Sequence, residues 1–264
     1  MQVIIRTALT TAKIQENLAN ELFDAIWRFV EVLRADPLVG SQVVFSVRDA
    51  LAYADYLKAF LGKGLSPSSA LEHSCRAVHL DSLGCSGYDL ENEIVKSVQG
   101  KIGGELMKIA SSLDGGRESN KDNAQLLTLN QNIMTISETF SYQIGSISPV
   151  TSGFCWTSPS TSKTLVKLGR AMMLNRPVIL EGSPGVGKTS IVAALAAESG
   201  FPVTRINLSE QTDVSDLFGA DLPVDGGKGG EFEWKDGPLL LALRKVIFTD
   251  KRVKNFNVVK NEEL

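Results

Sequence analysis

Apolar residues recur at helical spacing through the first third of the chain. Leu18, Leu22, Ala25, Ile26, Phe29, Val30 and Leu33 fall on one face, and the run stops before Asp36-Pro37, which predicts an amphipathic helix closed ahead of a proline. Ser46, with Asp49 three positions on, predicts a capped second helix whose inner stripe is Val47, Leu51, Ala54, Leu57 and Leu61. Gly62 and Gly64 break it. Ser66-Pro67 opens a third helix that Gly84 closes, and Leu90, Ile94, Val98 and Ile102 predict a fourth. The polar stretch from Ser111 to Asn123 reads as a linker or exposed loop. Thr- and Ser-rich alternation from Thr135 to Ile147 favours extended structure, and no internal repeat is present.

The pattern changes near Phe154. Ser158-Pro159 to Asn175 predicts a helix, and Val178-Ile179-Leu180 after Pro177 predicts a short buried parallel strand. Ser190 to Glu198 is rich in helix formers and ends at Gly200, while Pro202 to Leu208 predicts a second strand. Between the first strand and its helix lies Gly182-Ser183-Pro184-Gly185-Val186-Gly187-Lys188-Thr189, followed by Ser190, with the spacing G-x-x-x-x-G-K-[ST]. Gly182, Gly185 and Gly187 permit positive φ and close approach of backbone to phosphate. The loop amides and the positive helix end suit the β-phosphate; Lys188 suits the β- and γ-phosphates, and the Thr189 hydroxyl suits Mg²⁺. A bare Gly/Pro turn joining two elements is the plain alternative, but strand, loop and helix occur in the order that a phosphate site needs. The predicted ligands are ATP and Mg²⁺.

Composition narrows the classes. The chain has 264 residues, 43% hydrophobic and 22% charged, enough for one large or two small cored domains. A net charge of -3 and a pI near 5.6 give no footprint for general nucleic-acid binding. No stretch has the apolar length of a membrane span, and the first residues lack a signal-peptide core, so neither membrane insertion nor secretion is expected. Cys75, Cys85 and Cys155 are odd in number and scattered, which suits a reducing compartment without a disulfide framework.

Other candidates read more plainly as structure. His73, Cys75 and His79 are close in sequence but supply no fourth metal ligand, so they read as ordinary helix residues. Asp213, Asp216 and Asp221 lack a calcium-loop pattern. Phe232 and Trp234, alternating with Glu231, Glu233 and Lys235, predict an edge strand or hairpin with one buried face; the acids argue against a nucleic-acid platform. Lys251-Arg252-Val253-Lys254 fits a nuclear address or a solvated tail equally well.

The segments Ile206-Asn207-Leu208-Ser209-Glu210-Gln211-Thr212-Asp213, Asp216-Leu217-Phe218-Gly219 and Gly230-Glu231-Phe232-Glu233-Trp234-Lys235-Asp236-Gly237-Pro238-Leu239-Leu240 form a distinctive series behind the loop. With the loop form GSPGVGKTS, the stretch from about Phe154 to Leu243 resembles one module of the midasin family, large dynein-like AAA+ ATPases with six such modules. Phe45-Ser46-Val47-Arg48-Asp49 and Ala77 to Gly84 resemble the helical lid of a preceding module. The resemblance implies a P-loop NTPase (AAA+) α/β fold: a partial parallel sheet with flanking helices, preceded by an all-α lid-like region. Its boundaries are residues 1–110 for the lid-like region, 111–153 for a linker, 154–245 for the front half of a module and 246–264 for a divergent tail. Arg48 is then either a sensor for the preceding module's nucleotide or a solvated first-turn residue.

The family implies a nuclear chaperone-like ATPase, in nucleolus and nucleoplasm, that remodels pre-60S particles and releases assembly factors during large ribosomal subunit biogenesis. The chain departs from it after Arg244. A module continues with an apolar strand ending in Asp-Glu (Walker B), and the nearest match is Val246-Ile247-Phe248-Thr249-Asp250-Lys251, with Lys251 in place of the glutamate. No further sheet strand, sensor Asn or arginine finger follows, so no catalytic residue is assigned, and a truncated product and an altered gene model both fit the pattern. An ATP-binding fragment without hydrolysis of its own is expected. A non-catalytic interaction protein competing for the ATPase's partners is the alternative, and a small-molecule kinase is disfavoured by the acidic insertion.

Overall fold

The computed structural model describes residues 2–11, 14–83, 92–114, 127–130, 133–137, 139–223, 232–248 and 258–260. Five helices open the chain: α1 (Gln2–Thr11), α2 (Glu16–Ala35), α3 (Val47–Gly62), α4 (Pro67–Cys75) and α5 (Asn92–Ser111). Helix α4 runs on into a π-helical turn, Arg76–Leu80. A three-stranded antiparallel meander follows, β1 (Leu127–Asn130), β2 (Ile133–Ile136) and β3 (Phe140–Gln143), with Leu127 opposite Ile136 and Ile136 opposite Phe140. Then come α6 (Pro159–Ala171), β4 (Val178–Leu180), α7 (Lys188–Ser199), α8 (Val214–Phe218), β5 (Gly219–Pro223), β6 (Phe232–Asp236), α9 (Pro238–Phe248) and β7 (Val258–Lys260).

The helical half forms as its pattern predicts, with one rotation. Ala19, Leu22, Phe23, Ala25, Ile26, Phe29, Val30 and Leu33 are the buried face of α2. The Ser46/Asp49 capping box is made in both directions, Ser46 N–H donating to Asp49 Oδ2 at 2.7 Å and Asp49 N–H to Ser46 Oγ at 3.3 Å. The inner stripe of α3, however, is Ala50, Tyr53, Ala54, Leu57 and Phe60, while Val47 and Leu51 are exposed. Two stripes compete on this helix, and the one carrying Tyr53 and Phe60 buries more apolar area. Ser66 caps α4 through the Ser69 N–H, and Val95, Val98, Ile102 and Leu106 form the buried face of α5. Gly84, Cys85 and Leu90 lie outside the described residues, as do 115–126 of the expected linker.

The meander wedges the helical half against α6. Met134, Ile136 and Phe140 are buried, and the Phe140 ring meets those of Phe60 and His73 at centroid distances of 6.0 and 5.1 Å. A Cβ on Gly169 of α6 would come within 3.0 Å of Phe140, so glycine lets the helix sit against the wedge. The Tyr142 hydroxyl donates to the Gly169 carbonyl, and Lys63 Nζ donates to the Ser141 carbonyl at 2.6 Å. Arg170, almost fully buried in α6, pairs with Asp81 and donates through Nε to His73 Nδ1 at 3.4 Å. Arg176 pairs with Asp55 at the rim. One continuous hydrophobic core therefore runs from Ile5 through Phe140 to Ile191 and Leu195 of α7.

Three expectations in the α/β part are corrected. Residues 202–208 form no strand and enter no ladder, because no described strand lies beside them to accept their backbone hydrogen bonds. Val246, Ile247 and Phe248 continue α9 instead of forming a strand; helix started at Pro238 propagates through Leu239 to Arg244, and no Gly or Pro intervenes to stop it. The tail, in contrast, does carry a strand: β7 pairs parallel with β4, Val178 opposite Val258 and Leu180 opposite Lys260. Asp250 and Lys251 lie outside the described residues.

The Arg170–Asp81 pair makes a stability prediction. Replacing one partner of a buried pair leaves the other charge desolvated, so Arg170→Met should lower unfolding stability by about 3 kcal/mol. Adding Asp81→Asn should recover part of that loss, as read from urea unfolding followed by far-UV circular dichroism.

Candidate nucleotide-binding site

Strand β4 delivers the chain to Glu181, and the loop then turns through three glycines with positive φ: Gly182 at 152°, Gly185 at 81° and Gly187 at 85°. L-residues are disfavoured there, by roughly 1–2 kcal/mol in the left-handed helical region. A Cβ at Gly185 or Gly187 would meet nothing within 4 Å, so conformation and not crowding selects glycine, and the side of the loop facing that space stays open. Gly187 is itself the N-cap of α7, so the helix begins at Lys188 with no side chain of its own to cap its first amides. Those amides carry the positive end of the helix dipole and have the arrangement that accepts a phosphate. Ser183, Pro184 and Val186 complete the exposed loop; Thr189 is half-buried and Ser190 exposed.

The Lys188 ammonium folds back over the loop, donating to the carbonyls of Gly182 and of Ser183, the latter at 3.1 Å. It thus stands at the loop mouth, where it can be handed to a phosphate oxygen without movement of the backbone. Three-glycine cradle, unsatisfied helix amides, ammonium and adjacent hydroxyl are the donor set that a Mg²⁺-nucleoside triphosphate requires. Lys188 and the amides would hold the phosphates, and the Thr189 hydroxyl would take a position on the metal.

The far end of α7 is fixed by contacts that sequence reading did not find. The segment before α6 donates Gly145 N–H to Ser199 O at 2.7 Å, Ile147 N–H to Gly200 O at 3.0 Å and Val150 N–H to Ala197 O at 3.0 Å, satisfying carbonyls that the last helical turn leaves open. Gly200 closes α7 at φ 71°, and a Cβ there would come within 2.2 Å of Ile147 O. A Cβ on Gly145 would in turn come within 2.0 Å of Gly200 O, so two glycines set the approach. Glu198 is buried, and it accepts from Trp156 Nε1 at 2.8 Å and from both the N–H and the hydroxyl of Ser152. The only sequence signal was an acidic residue near the end of an otherwise alanine-rich helix.

The remaining candidates are placed apart from this site. Arg48 is exposed in the first turn of α3. The His73 ring packs on Phe60 and Phe140, and Cys75 and His79 are buried beside Tyr53, burial holding the thiol up and the imidazole down from their ordinary pKa values. Among the described residues no group of three or more His, Cys, Asp or Glu is arranged to hold a metal ion. Asp213 and Asp216 cap α8, Asp213 N–H donating to Asp216 Oδ2 at 3.0 Å, and Asp221 sits on β5. Phe232 and Trp234 do form a strand of an antiparallel pair, but neither is buried, which corrects the expected one-sided hairpin. Glu231 and the cluster Lys251-Arg252-Val253-Lys254 lie outside the described residues. No helix among the described residues is long and apolar enough to cross a membrane.

Glu198→Ala should uncouple the clasp, lowering stability by about 2 kcal/mol as three hydrogen bonds lose their acceptor. Urea unfolding and the tryptophan emission of Trp156 would both report it.

Residues 177–257 match the AAA domain of the dynein-related subfamily. Midasin of Dictyostelium discoideum is 36% identical over 218 residues, 76% of this chain and 4% of that protein. Midasin of Giardia intestinalis is 32% identical over 226 residues, 80% of this chain and 5% of that protein. Protein NorQ of Paracoccus denitrificans is 42% identical over 69 residues, 26% of this chain and 24% of that protein. The chain thus spans about one twentieth of the length of the midasins it matches. The match to midasins extends well beyond the phosphate loop, and on that ground the chain belongs to the midasin family and carries a dynein-related AAA domain.

Proposed function

We propose that the chain binds Mg²⁺-ATP through Gly182 to Ser190 and does not hydrolyse it alone. The observation that carries this reading is the loop itself: three positive-φ glycines ending as the N-cap of α7, with the Lys188 ammonium already at the mouth. Lys188 and the α7 amides bind and orient the phosphates, and the Thr189 hydroxyl holds the metal. Phosphoryl transfer also needs a group that positions the attacking water, and positioning supplies most of that catalysis. In the stretch that would supply it by family pattern, Val246 to Lys251, the apolar run Val246 to Phe248 is helical and Lys251 stands in place of the glutamate, which favours binding without turnover.

Within a full-length architecture of the midasin kind, this segment would contribute one nucleotide-binding step to a nuclear ATPase that remodels pre-60S particles and releases assembly factors. The alternative, a non-catalytic protein competing for the same partners, draws support from that same helical stretch. Both readings need the same nucleotide site.

Titration calorimetry with Mg²⁺-ATP, paired with phosphate release, tests the proposal. Native chain should bind, Lys188→Ala should bind at least about 100-fold more weakly, and neither should release phosphate above buffer. Turnover abolished by Lys188→Ala would show that the chain contains the missing group; absence of binding by folded native chain would defeat the proposal.

A further inference from the structure

Among the described residues, the pair β5–β6 carries the two most exposed aromatic side chains, with exposed acids on the same ribbon. Phe232 is 64% and Trp234 49% exposed, on a strand whose first four residues are all exposed. Cross-strand partners share a face, so Phe232 and Trp234 lie with Pro223 and Asp221, while Leu222 and Glu233 occupy the other side. Both faces of this two-stranded ribbon thus meet solvent, an arrangement with little stability of its own. The ribbon is anchored at its base: Gly237 N–H donates to Phe218 O at 2.9 Å, and Arg244 of α9 pairs with Asp236. Trp234 is held in place by its Nε1–H, which donates to Asp236 Oδ1 at 2.8 Å. An oriented, exposed tryptophan beside a phenylalanine is a feature of interaction sites, where such residues anchor the contact.

Charge says what kind of partner fits. Residues 206–243 hold eight acidic residues and two lysines, a net charge of -6, whereas the whole chain carries -3. The negative charge of this protein is therefore concentrated on the insertion that displays the aromatics. Among the described residues, exposed Asp221 lies directly across from Trp234 on the aromatic face, while Glu233 is exposed on the other face. An acidic rim repels nucleic acid and attracts lysine and arginine, whose aliphatic stems and cations also pack on aromatic faces.

We infer that the β5–β6 ribbon is a docking surface for a basic polypeptide segment, one rich in Lys or Arg and carrying apolar side chains. Phe232 and Trp234 supply the apolar anchor, and Asp221 on the same face supplies charge complementarity. The site is separate from the phosphate loop and does not depend on nucleotide.

The test is fluorescence anisotropy on the full chain with a fluorescein-labelled peptide of alternating Lys and Leu. The native chain should bind it, and a peptide with Glu in place of Lys should not bind. Trp234→Ala should weaken binding at least about 10-fold, and Asp221→Asn about 3-fold, with unchanged circular dichroism in both. Raising NaCl from about 50 to about 300 mM should weaken the native complex severalfold. No binding of the Lys-Leu peptide by native chain, or equal binding by the variants, would overturn the inference. So would binding of oligothymidine that requires Trp234, which would make the ribbon a base-stacking platform. A dimer in sedimentation velocity that Trp234→Ala dissociates would overturn it too, since a second copy would then be the occupant.

Discussion

The phosphate loop depends on the helix it opens, and that helix is held from its far end. Gly145, Ile147 and Val150 donate to the last carbonyls around Ala197 to Gly200, while Glu198 draws Ser152 and Trp156 onto the same turn. These contacts take up polar groups that a helix C-terminus otherwise leaves to water, and they do so beside the core residues Ile191 and Leu195. The loop's glycine backbone has no side-chain packing to define its position. Its place is set by β4 on one side and by α7 on the other, so an anchor at the end of α7 fixes the direction of the amides that face the nucleotide.

The same logic ties the helical half to the site. Phe140, Tyr142 and Arg170 connect α3, the π-helical turn and α6, and α6 feeds directly into β4. The two halves share one hydrophobic core, and polar contacts such as Arg170–Asp81 and Lys63–Ser141 cross the same junction. The α/β part is differently made. Its parallel pair β4–β7 leaves Ile179 exposed, and Val203 and Leu208 after α7 are exposed too. Parallel strands ordinarily lie inside sheets covered on both faces, and this pair lacks that cover at Ile179.

Much of this was legible from residue pattern because local signals agreed with tertiary ones. The α2 stripe, the Ser46/Asp49 box, the Ser66-Pro67 start and the glycine loop each combine periodicity with a terminating or capping residue. The α3 stripe failed where two faces were both apolar and only packing could choose between them. Residues 202–208 and 246–248 failed for a different reason. Strand propensity needs a partner strand, and a β-prone Val-Ile-Phe run joined to a started helix is cheaper to continue than to break. The clasp on α7 was invisible because hydrogen bonds between residues some 50 positions apart leave no periodic trace.

The most direct measurement is a ¹⁵N–¹H correlation spectrum of the labelled chain during titration with Mg²⁺-ADP. The account predicts saturable shifts that are largest at the amides of Gly185, Gly187, Lys188 and Thr189, with the helical half from α1 to α5 nearly unmoved. Saturation with no change at those amides, or shifts centred in the helical half, would contradict it.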